Sequence, residues 1–240
     1  MKEESISVIF PVYNEEGNIE KVVNSVLEFL PDIFSNFEVI IVDDGSRDRS
    51  PQIINQLCRE STNLKVIHHE RNMSYGMALR SGFAVTKYPL VFFMDSDGQF
   101  DIEDMKDLLK FIYRFDIVVG IRRKRMDSVY RIALGKLYNQ INSLFFNIRM
   151  QDVNCGFKLL RRSVLDNIPL YSKSGFINVE ILVKARDEGY LIKEVPVGHR
   201  PRVSGKQKGA TIKALFFKLL EITKFSWQRS LLPRKFKILL

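Results

Sequence analysis

The stretch FFMDSDGQFD carries an apolar run straight into Asp95, Asp97 and Gln99. Two carboxylates and an amide at alternate positions are costly beside a buried segment. Like charges repel, and each resists desolvation unless a partner is supplied. Oxygen donors at this spacing can converge on a hard divalent cation, whose shell is completed by waters and substrate phosphates. Mg2+ or Mn2+ bridging a diphosphate would supply the missing positive charge. The same residues can instead form an Asx-turn that satisfies neighbouring backbone N–H groups. A set of cations bears on that choice. Arg122 follows an apolar run, Arg131 lies in YRIALGKLYN, and HRPRVSGKQKG contributes Arg200, Arg202, Lys206 and Lys208 around Gly205. Arginine forks match phosphate oxygens in pairs, whereas lysine acts as a point charge. Ordinary surface cations are the competing reading, but a basic set opposite a metal site points to several phosphates handled together.

These residues need a frame that gathers them. Short runs rich in β-branched and aromatic residues at 6–11, 38–42, 64–68, 90–94 and 116–120 predict strands, and apolar spacing at 16–30, 48–59, 76–85 and 102–114 predicts helices between them. This alternation predicts an α/β fold with a mostly parallel sheet flanked by helices, whose ligands sit beyond the carboxyl ends of the strands. Those ends read PVYNEE, VDDGS, MDSDGQ and GIRR, so one crevice would collect Tyr13, Glu15, Asp43, Asp44, Asp95, Asp97, Arg122 and Arg123. Any one acidic turn is readily explained as a helix cap; their convergence at one edge is not. Beyond residue 126 the pattern predicts helices at 129–147 and 179–188 and strands at 157–160 and 191–197, within a single domain ending near residue 205.

PVYNEEGNI, IIVDDGSRDRS, RNMSYGMALRSGF, MDSDGQFD, DVNCGFKLLRR and RVSGKQK together resemble glycosyltransferase family 2, in the branch of dolichol-phosphate mannosyltransferases and bacterial polyprenyl-phosphate glycosyltransferases; the resemblance runs from residue 5 to about 210. It implies a Rossmann-like GT-A fold and a nucleoside-diphosphate sugar donor, UDP- or GDP-linked. Pro11, Tyr13, Glu15 and Asp43 or Asp44 would contact the nucleoside, with Tyr13, Asp43 and Arg71 around the base. Asp95-Ser96-Asp97 would be the DXD motif, with Asp97 and Gln99 on Mg2+ or Mn2+ and Asp95 at the ribose or the metal shell. Arg122, Arg131, Arg202 and Lys208 correspond to phosphate-binding cations, Arg122 and Arg131 on the acceptor side. Gln207 stands where the family has Ser in the late basic loop, and Gly135 where a small hydroxyl is usual, which bears on individual phosphate contacts.

The acceptor follows from a chemical requirement. A sugar hydroxyl needs a general base, because it is not nucleophilic at neutral pH. The region where the family places that base offers Glu180, on a helical pattern, with Asp152 as a further candidate. A polyprenyl phosphate needs none, since a phosphate monoester with a second pKa of about 6 is largely dianionic at pH 7. The expected reaction is inverting sugar transfer to a polyprenyl phosphate. Transfer to a glycan hydroxyl is the alternative.

A chain of 240 residues with 45% hydrophobic and 27% charged residues suits a globular protein with a sizeable core. Two distant cysteines, Cys58 and Cys155, suggest neither a disulfide framework nor a zinc site. The net charge of +9 is concentrated: residues 206–240 hold nine Lys or Arg and one acid, a net +8, leaving +1 for the rest. A nearly neutral body argues against a nucleic-acid-binding module, which also needs stacking aromatics among its cations. An intact DXD and arginine set argues against a silent scaffold subunit. Residues 211–229 divide into an apolar and a basic face at helical spacing. The tail is therefore read as an interfacial helix on anionic lipid, with docking on the body as the alternative. The N-terminus lacks signal-peptide character and no segment is long enough to span a bilayer, so a peripheral position on the inner, cytoplasmic membrane face is expected, with an anchoring partner or a homo-oligomer as further possibilities.

Overall fold

The computed structural model describes residues 3–123, 126, 128–202, 204–205 and 212–231. In chain order the first half runs β1 (Glu3–Val12), α1 (Ile19–Ile33), β2 (Phe34–Asp43), α2 (Ser50–Glu60), β3 (Leu64–His68), α3 (Tyr75–Ala84) and β4 (Leu90–Met94). A 3-10 turn (Ile102–Asp104) then leads into α4 (Met105–Ile112), followed by β5 (Ile117–Arg122) and α5 (Val129–Phe146). The chain continues through β6 (Phe157–Arg161), α6 (Arg162–Asn167), α7 (Ile177–Asp187), β7 (Ile192–Val197) and α8 (Ile212–Leu231).

Seven strands form one sheet in the order β3-β2-β1-β4-β6-β5-β7 among the described residues. β1 pairs in parallel with β2 and β4, and β5 with β7. The chain builds outward from β1 to β3 on one side and then returns to β4 on the other. That reversal leaves a crevice beyond the carboxyl ends of β1 and β4, where open α/β sheets bind ligands. Ile6, Val8, Ile9 and Phe10 of β1 are all fully buried, because helices cover both faces of a central parallel strand.

β6 is the exception to parallel order, lying antiparallel between β4 and β5 with Phe157 opposite Met94. Its first residues therefore start at the crevice edge, beside the end of β4. Phe157 packs edge-on against Phe92, centroids 4.7 Å apart. The expected first helix starts three residues late, because residues 14–18 form a turn in which Asn18 N–H donates to the Glu15 carbonyl and Asn14 has a φ of 56°. The six-residue α6 is too short to carry a periodic signal.

The described part of the tail is not detached. On α8, Ile222 is fully buried and the Phe225 ring meets Phe146 and Phe176 edge-on at 5.4 Å each. Arg229 adds two hydrogen bonds to Asp187, at 2.6 and 3.0 Å. Ile222 of the expected apolar face, and Phe225 outside it, thus pack on the body, while Trp227 of that face is 67% exposed. Residues 206–211 and 232–240 of that tail lie outside the described residues.

Candidate active site

The crevice is lined by loops stapled to one another. Asn14 N–H donates to Ser46 Oγ at 2.9 Å, Arg47 N–H to Asn14 Oδ1 at 2.7 Å, and Glu15 N–H to Ser50 Oγ at 2.8 Å. These bonds lock the loop after β1 to the loop after β2. Ser96 Oγ donates to the buried Pro11 carbonyl at 2.8 Å, tying the loop after β4 to the same frame. Tyr13 is half-buried on this rim.

Asp43 and Asp44 are 2% and 3% exposed, and their carboxylates are engaged internally. Asp43 accepts from Ser46 N–H at 3.0 Å and meets His68 Nδ1 at 2.8 Å. Asp44 accepts from the Met73 and Ser74 N–H groups at 2.8 and 2.9 Å and meets His69 Nδ1 at 2.7 Å. Both shape the loops that border the nucleoside site expected from the sequence. Gly45, with φ 69°, lets the Arg71 backbone approach: a Cβ there would lie 2.4 Å from the Arg71 carbonyl carbon. The Arg71 residue itself is exposed.

The DXD carboxylates differ from each other. Asp95 is half-buried, its carboxyl being the enclosed part. Oδ1 accepts the Tyr75 hydroxyl at 3.0 Å, and the Asp95 N–H donates to the Gly156 carbonyl at 3.0 Å. Gly156 has to be glycine, since a Cβ would stand 2.3 Å from Asp95 Oδ1. Burial, and then the neighbouring Asp97 charge, push the Asp95 pKa up to about 7. Asp97 faces Arg202, whose Nη1 lies 3.1 Å from Oδ2, while its Oδ1 accepts Gln99 N–H at 3.2 Å. The Asx-turn expected as one alternative is present at Asp97.

Arg202 is the centre of the charge arrangement. It bridges Asp97 and Glu15 and donates through Nε to the Ser204 carbonyl at 2.7 Å. Burial raises the Glu15 pKa, against the opposing pull of Arg202 and Asn18. Asn18 Nδ2 donates to Glu15 Oε2 at 2.7 Å. Gln99 is buried, and its amide Nε2 donates to the Arg200 carbonyl at 3.0 Å. Gln99 thus holds the late loop in place, leaving only its amide oxygen as a possible metal ligand.

The acceptor-side cations are less alike than the sequence implied. Arg122 grips Asp152 through Nε and Nη2 at 2.6 and 2.7 Å. Burial opposes its charge, but the Asp152 carboxylate holds the guanidinium pKa above its ordinary value. The Arg122 fork, expected on the acceptor side, is paired here with a carboxylate 30 residues away. Arg131 is half-buried on the first turn of α5, and Lys206 and Lys208 lie outside the described residues. Glu180 is 1% exposed and accepts from Tyr171 N–H, Ser172 N–H and Lys184 Nζ at 3.0, 2.8 and 2.7 Å. It is a clasp for the loop before α7.

Sequence reasoning passed over Tyr75, Gly156, Lys158 and Asn178. The available signal was Lys158 itself, a lysine between Phe157 and Leu159 in an otherwise apolar strand. It is fully buried, and burial pushes its pKa down to about 8. Among the described residues no three His, Cys, Asp or Glu side chains cluster closely enough to hold a metal by themselves. The donor set present, two adjacent carboxylates balanced by one guanidinium, fits a cation of the Mg2+ kind, which takes one or two protein carboxylates and completes its shell with phosphates and water.

Known proteins resemble this arrangement. An undecaprenyl-phosphate 4-deoxy-4-formamido-L-arabinose transferase of Aeromonas hydrophila is 31% identical over 206 residues, 85% of this chain and 62% of that protein. A dolichyl-phosphate beta-glucosyltransferase of Saccharomyces cerevisiae is 28% identical over 237 residues, 88% of this chain and 71% of the yeast enzyme. The chain thus spans less than two thirds of the Aeromonas relative. In three dimensions it resembles glucosyl-3-phosphoglycerate synthase from Mycobacterium tuberculosis, crystallised with Mn2+, UDP and phosphoglyceric acid, with a TM-score of 0.74 at 18% identity over 96% of this chain and 80% of that one. This likeness bears out the GT-A fold. The model of glycosyl transferase family 2 matches residues 7–169, more than half of the sequence, including the loops after β1, β2 and β4, and the chain belongs to that family.

Proposed function

We propose that the protein transfers a sugar, with inversion, from a nucleoside-diphosphate sugar to a polyprenyl phosphate at a membrane surface. One observation carries the choice of acceptor: the two carboxylates considered as general bases are both engaged, Glu180 by three donors and Asp152 by the Arg122 fork. A phosphate acceptor needs no base, because it arrives ionised. Relatives named for undecaprenyl-phosphate and dolichyl-phosphate transfer support the same reading.

The donor diphosphate lies beyond β4, facing Asp95, Asp97 and Arg202. Asp97 and Asp95 would hold a divalent cation there, with Gln99 Oε1 as a further ligand, and such a cation would supply positive charge against the leaving diphosphate. Arg202 exchanges Asp97 for the diphosphate oxygens, and Arg131, with Lys208 from the late loop, offsets the repulsion between the two phosphate-bearing substrates. An acceptor phosphate oxygen forms the new bond to the anomeric carbon as the bond to the diphosphate oxygen breaks on the opposite face. The nucleoside diphosphate departs with the electron pair, and no proton need be removed.

Among the described residues no helix is long and apolar enough to cross a membrane. Val129 and Leu144 of α5 are 83% exposed and Trp227 of α8 is 67% exposed, an apolar set suited to the lipid headgroup region. The test presents UDP- and GDP-sugars with Mn2+ to the protein, offering polyprenyl phosphate or an oligosaccharide as acceptor. Transfer to the lipid phosphate, lost with EDTA and in Asp97→Ala, is expected. Transfer to the oligosaccharide alone, or full transfer by Asp97→Ala, refutes the acceptor or the metal assignment respectively. Retention on anionic liposomes but not on RNA is expected in parallel.

A further inference from the structure

The segment after β7 runs from the loop after β4 to the loop after β1, and its two parts are held differently. Its first residues are held through their backbone. Gly198 N–H donates to Asp104 Oδ2 at 2.7 Å, Arg200 N–H donates to the Gln99 carbonyl at 2.7 Å, and Gln99 Nε2 returns to the Arg200 carbonyl at 3.0 Å. Pro201 follows, its φ fixed by the ring. Beyond it the hold passes to one side chain. Arg202 places Nη1 3.1 Å from Asp97 Oδ2 and Nη2 on Glu15 Oε1, while Nε donates to the Ser204 carbonyl at 2.7 Å. Ser204 packs so closely on the loop after β1 that a Cβ on Gly17 would stand 2.2 Å from its Oγ.

A guanidinium stays charged at every working pH, and this fork spans carboxylates from two loops. A cation of the Mg2+ kind sits about 2.0–2.1 Å from a carboxylate oxygen. Asp97 Oδ2 already has Nη1 close by, so the two cations would face each other across one oxygen. The Arg202 and Asp97 side chains are only 11% and 17% exposed, which leaves little water to screen that repulsion. With nothing between them, guanidinium and metal therefore compete for Asp97. A diphosphate reverses the relation, because its oxygens accept the arginine fork in pairs and bind the metal as well. Arg202 can then leave Asp97 without losing a counter-charge.

We propose that Arg202 gates the acidic site: it holds Asp97 and Glu15 against a divalent cation until a nucleoside diphosphate draws the guanidinium away. The gate rests on the metal reading of the proposed function and adds an order to it, in which the cation and the nucleoside diphosphate become bound together. A bare cation is thereby kept from occupying the site. Glu15 is the anchor that keeps Arg202 at the crevice when Asp97 is given up.

Equilibrium dialysis of the full chain, with nucleotide equal on both sides, measures Mn2+ retention alone and with UDP or GDP. The proteins compared are wild type, Arg202→Gln, Arg202→Lys and Asp97→Ala. Wild type is expected to retain Mn2+ weakly alone and about tenfold more tightly with UDP or GDP, an ordinary coupling between two ligands. Arg202→Gln should retain Mn2+ alone about tenfold more tightly than wild type and gain less from the nucleotide. That tightening separates a gate from a plain phosphate contact, whose loss leaves Mn2+ alone unchanged. Arg202→Lys keeps the charge and loses the fork, and it decides alone if Arg202→Gln does not fold. Tighter Mn2+ than wild type in Arg202→Lys supports the gate, whereas wild-type retention assigns any effect to net charge and overturns it. Wild type that retains Mn2+ as tightly alone as with either nucleotide also overturns it. Wild-type retention in Arg202→Gln, with Mn2+ lost in Asp97→Ala, overturns the gate and leaves the metal reading standing. No Mn2+ retention by any of the proteins, with or without nucleotide, refutes both.

Discussion

After β2 the crevice carboxylates Asp43 and Asp44 are held by backbone N–H groups and histidines; where β5 and the late loop meet the crevice, Arg122 and Arg202 are held by carboxylates. Asp44 takes two N–H groups and His69, all from the segment that follows β3. Asp152 takes the whole Arg122 fork, and Glu15 and Asp97, from the loops after β1 and β4, share Arg202 of the late loop. The first half is a rigid frame built of many modest bonds. The second rests on a few charge pairs, and in the proposed reaction these are the groups that a diphosphate and a phosphate would rearrange. Rigidity on one side and exchangeable charge on the other suit the proposed transfer, whose substrates would both be anions.

The comparison predicts that the second half is brittle. Asp152→Ala leaves the Arg122 guanidinium in a largely buried position without its counter-charge, and breaking such a pair costs about 3–5 kcal/mol. Because the Arg122 side chain retains 14% exposure, the lower end of that range is expected. Urea denaturation checks it, and a loss under 1 kcal/mol would place Arg122 in the same class as the neutral staples. Gly156→Ala follows at about 1–3 kcal/mol, the usual cost of forcing an atom into a packed site, since the new Cβ meets the Asp95 carboxyl. It should also impair transfer by displacing Asp95, so an active and fully stable variant would contradict the close seat of the carboxyl.

Asp95 carries a pH signature. Its folded pKa of about 7 lies above the ordinary 3.8, so the folded protein binds more protons than the unfolded chain between those values, and stability falls as pH rises through that window. Asp95→Asn removes the effect while keeping an oxygen for Tyr75. Its stability relative to wild type in chelator should be near zero below pH 4 and grow to about 1 kcal/mol or more above pH 7. A difference independent of pH would show that the buried carboxyl is ionised throughout.

The two halves also differ in how far they were legible. Strands β3 and β4 match the residues expected from hydrophobic pattern alone, and the acidic turns at strand ends located the crevice, because both signals are local. The partner of Arg122 was not legible. Asp152 lies 30 residues on, and the two meet only because β6 returns antiparallel beside β5. Tyr75 and Asn178 stood within or near motifs already noted, but nothing local says that one tyrosine should reach Asp95 or that Lys158 should lie behind it. The amphipathic pattern of α8 was visible, whereas the identity of what covers it, Phe146 and Phe176, is a tertiary fact. Periodicity tells which face is apolar and not what it meets.

The smallest expected effect tests the frame. Ser46→Ala deletes the hydroxyl that accepts Asn14 N–H but keeps the backbone N–H that donates to Asp43. Asn14 Oδ1 remains bonded to Arg47, Glu15 to Ser50, and Ser96 to Pro11, so the loop is still tied at three other points. Ser46 is only partly buried, and water can take the place of its oxygen. The loss should be about 0.5–1.5 kcal/mol, the net worth of a single neutral hydrogen bond, with nucleotide affinity changed less than threefold. Paired denaturation of Ser46→Ala and Asp152→Ala gives the comparison its sharpest form. Equal losses would mean that the frame depends on each staple as strongly as the phosphate side depends on each charge, and the division between a redundant half and an exchangeable half would fail.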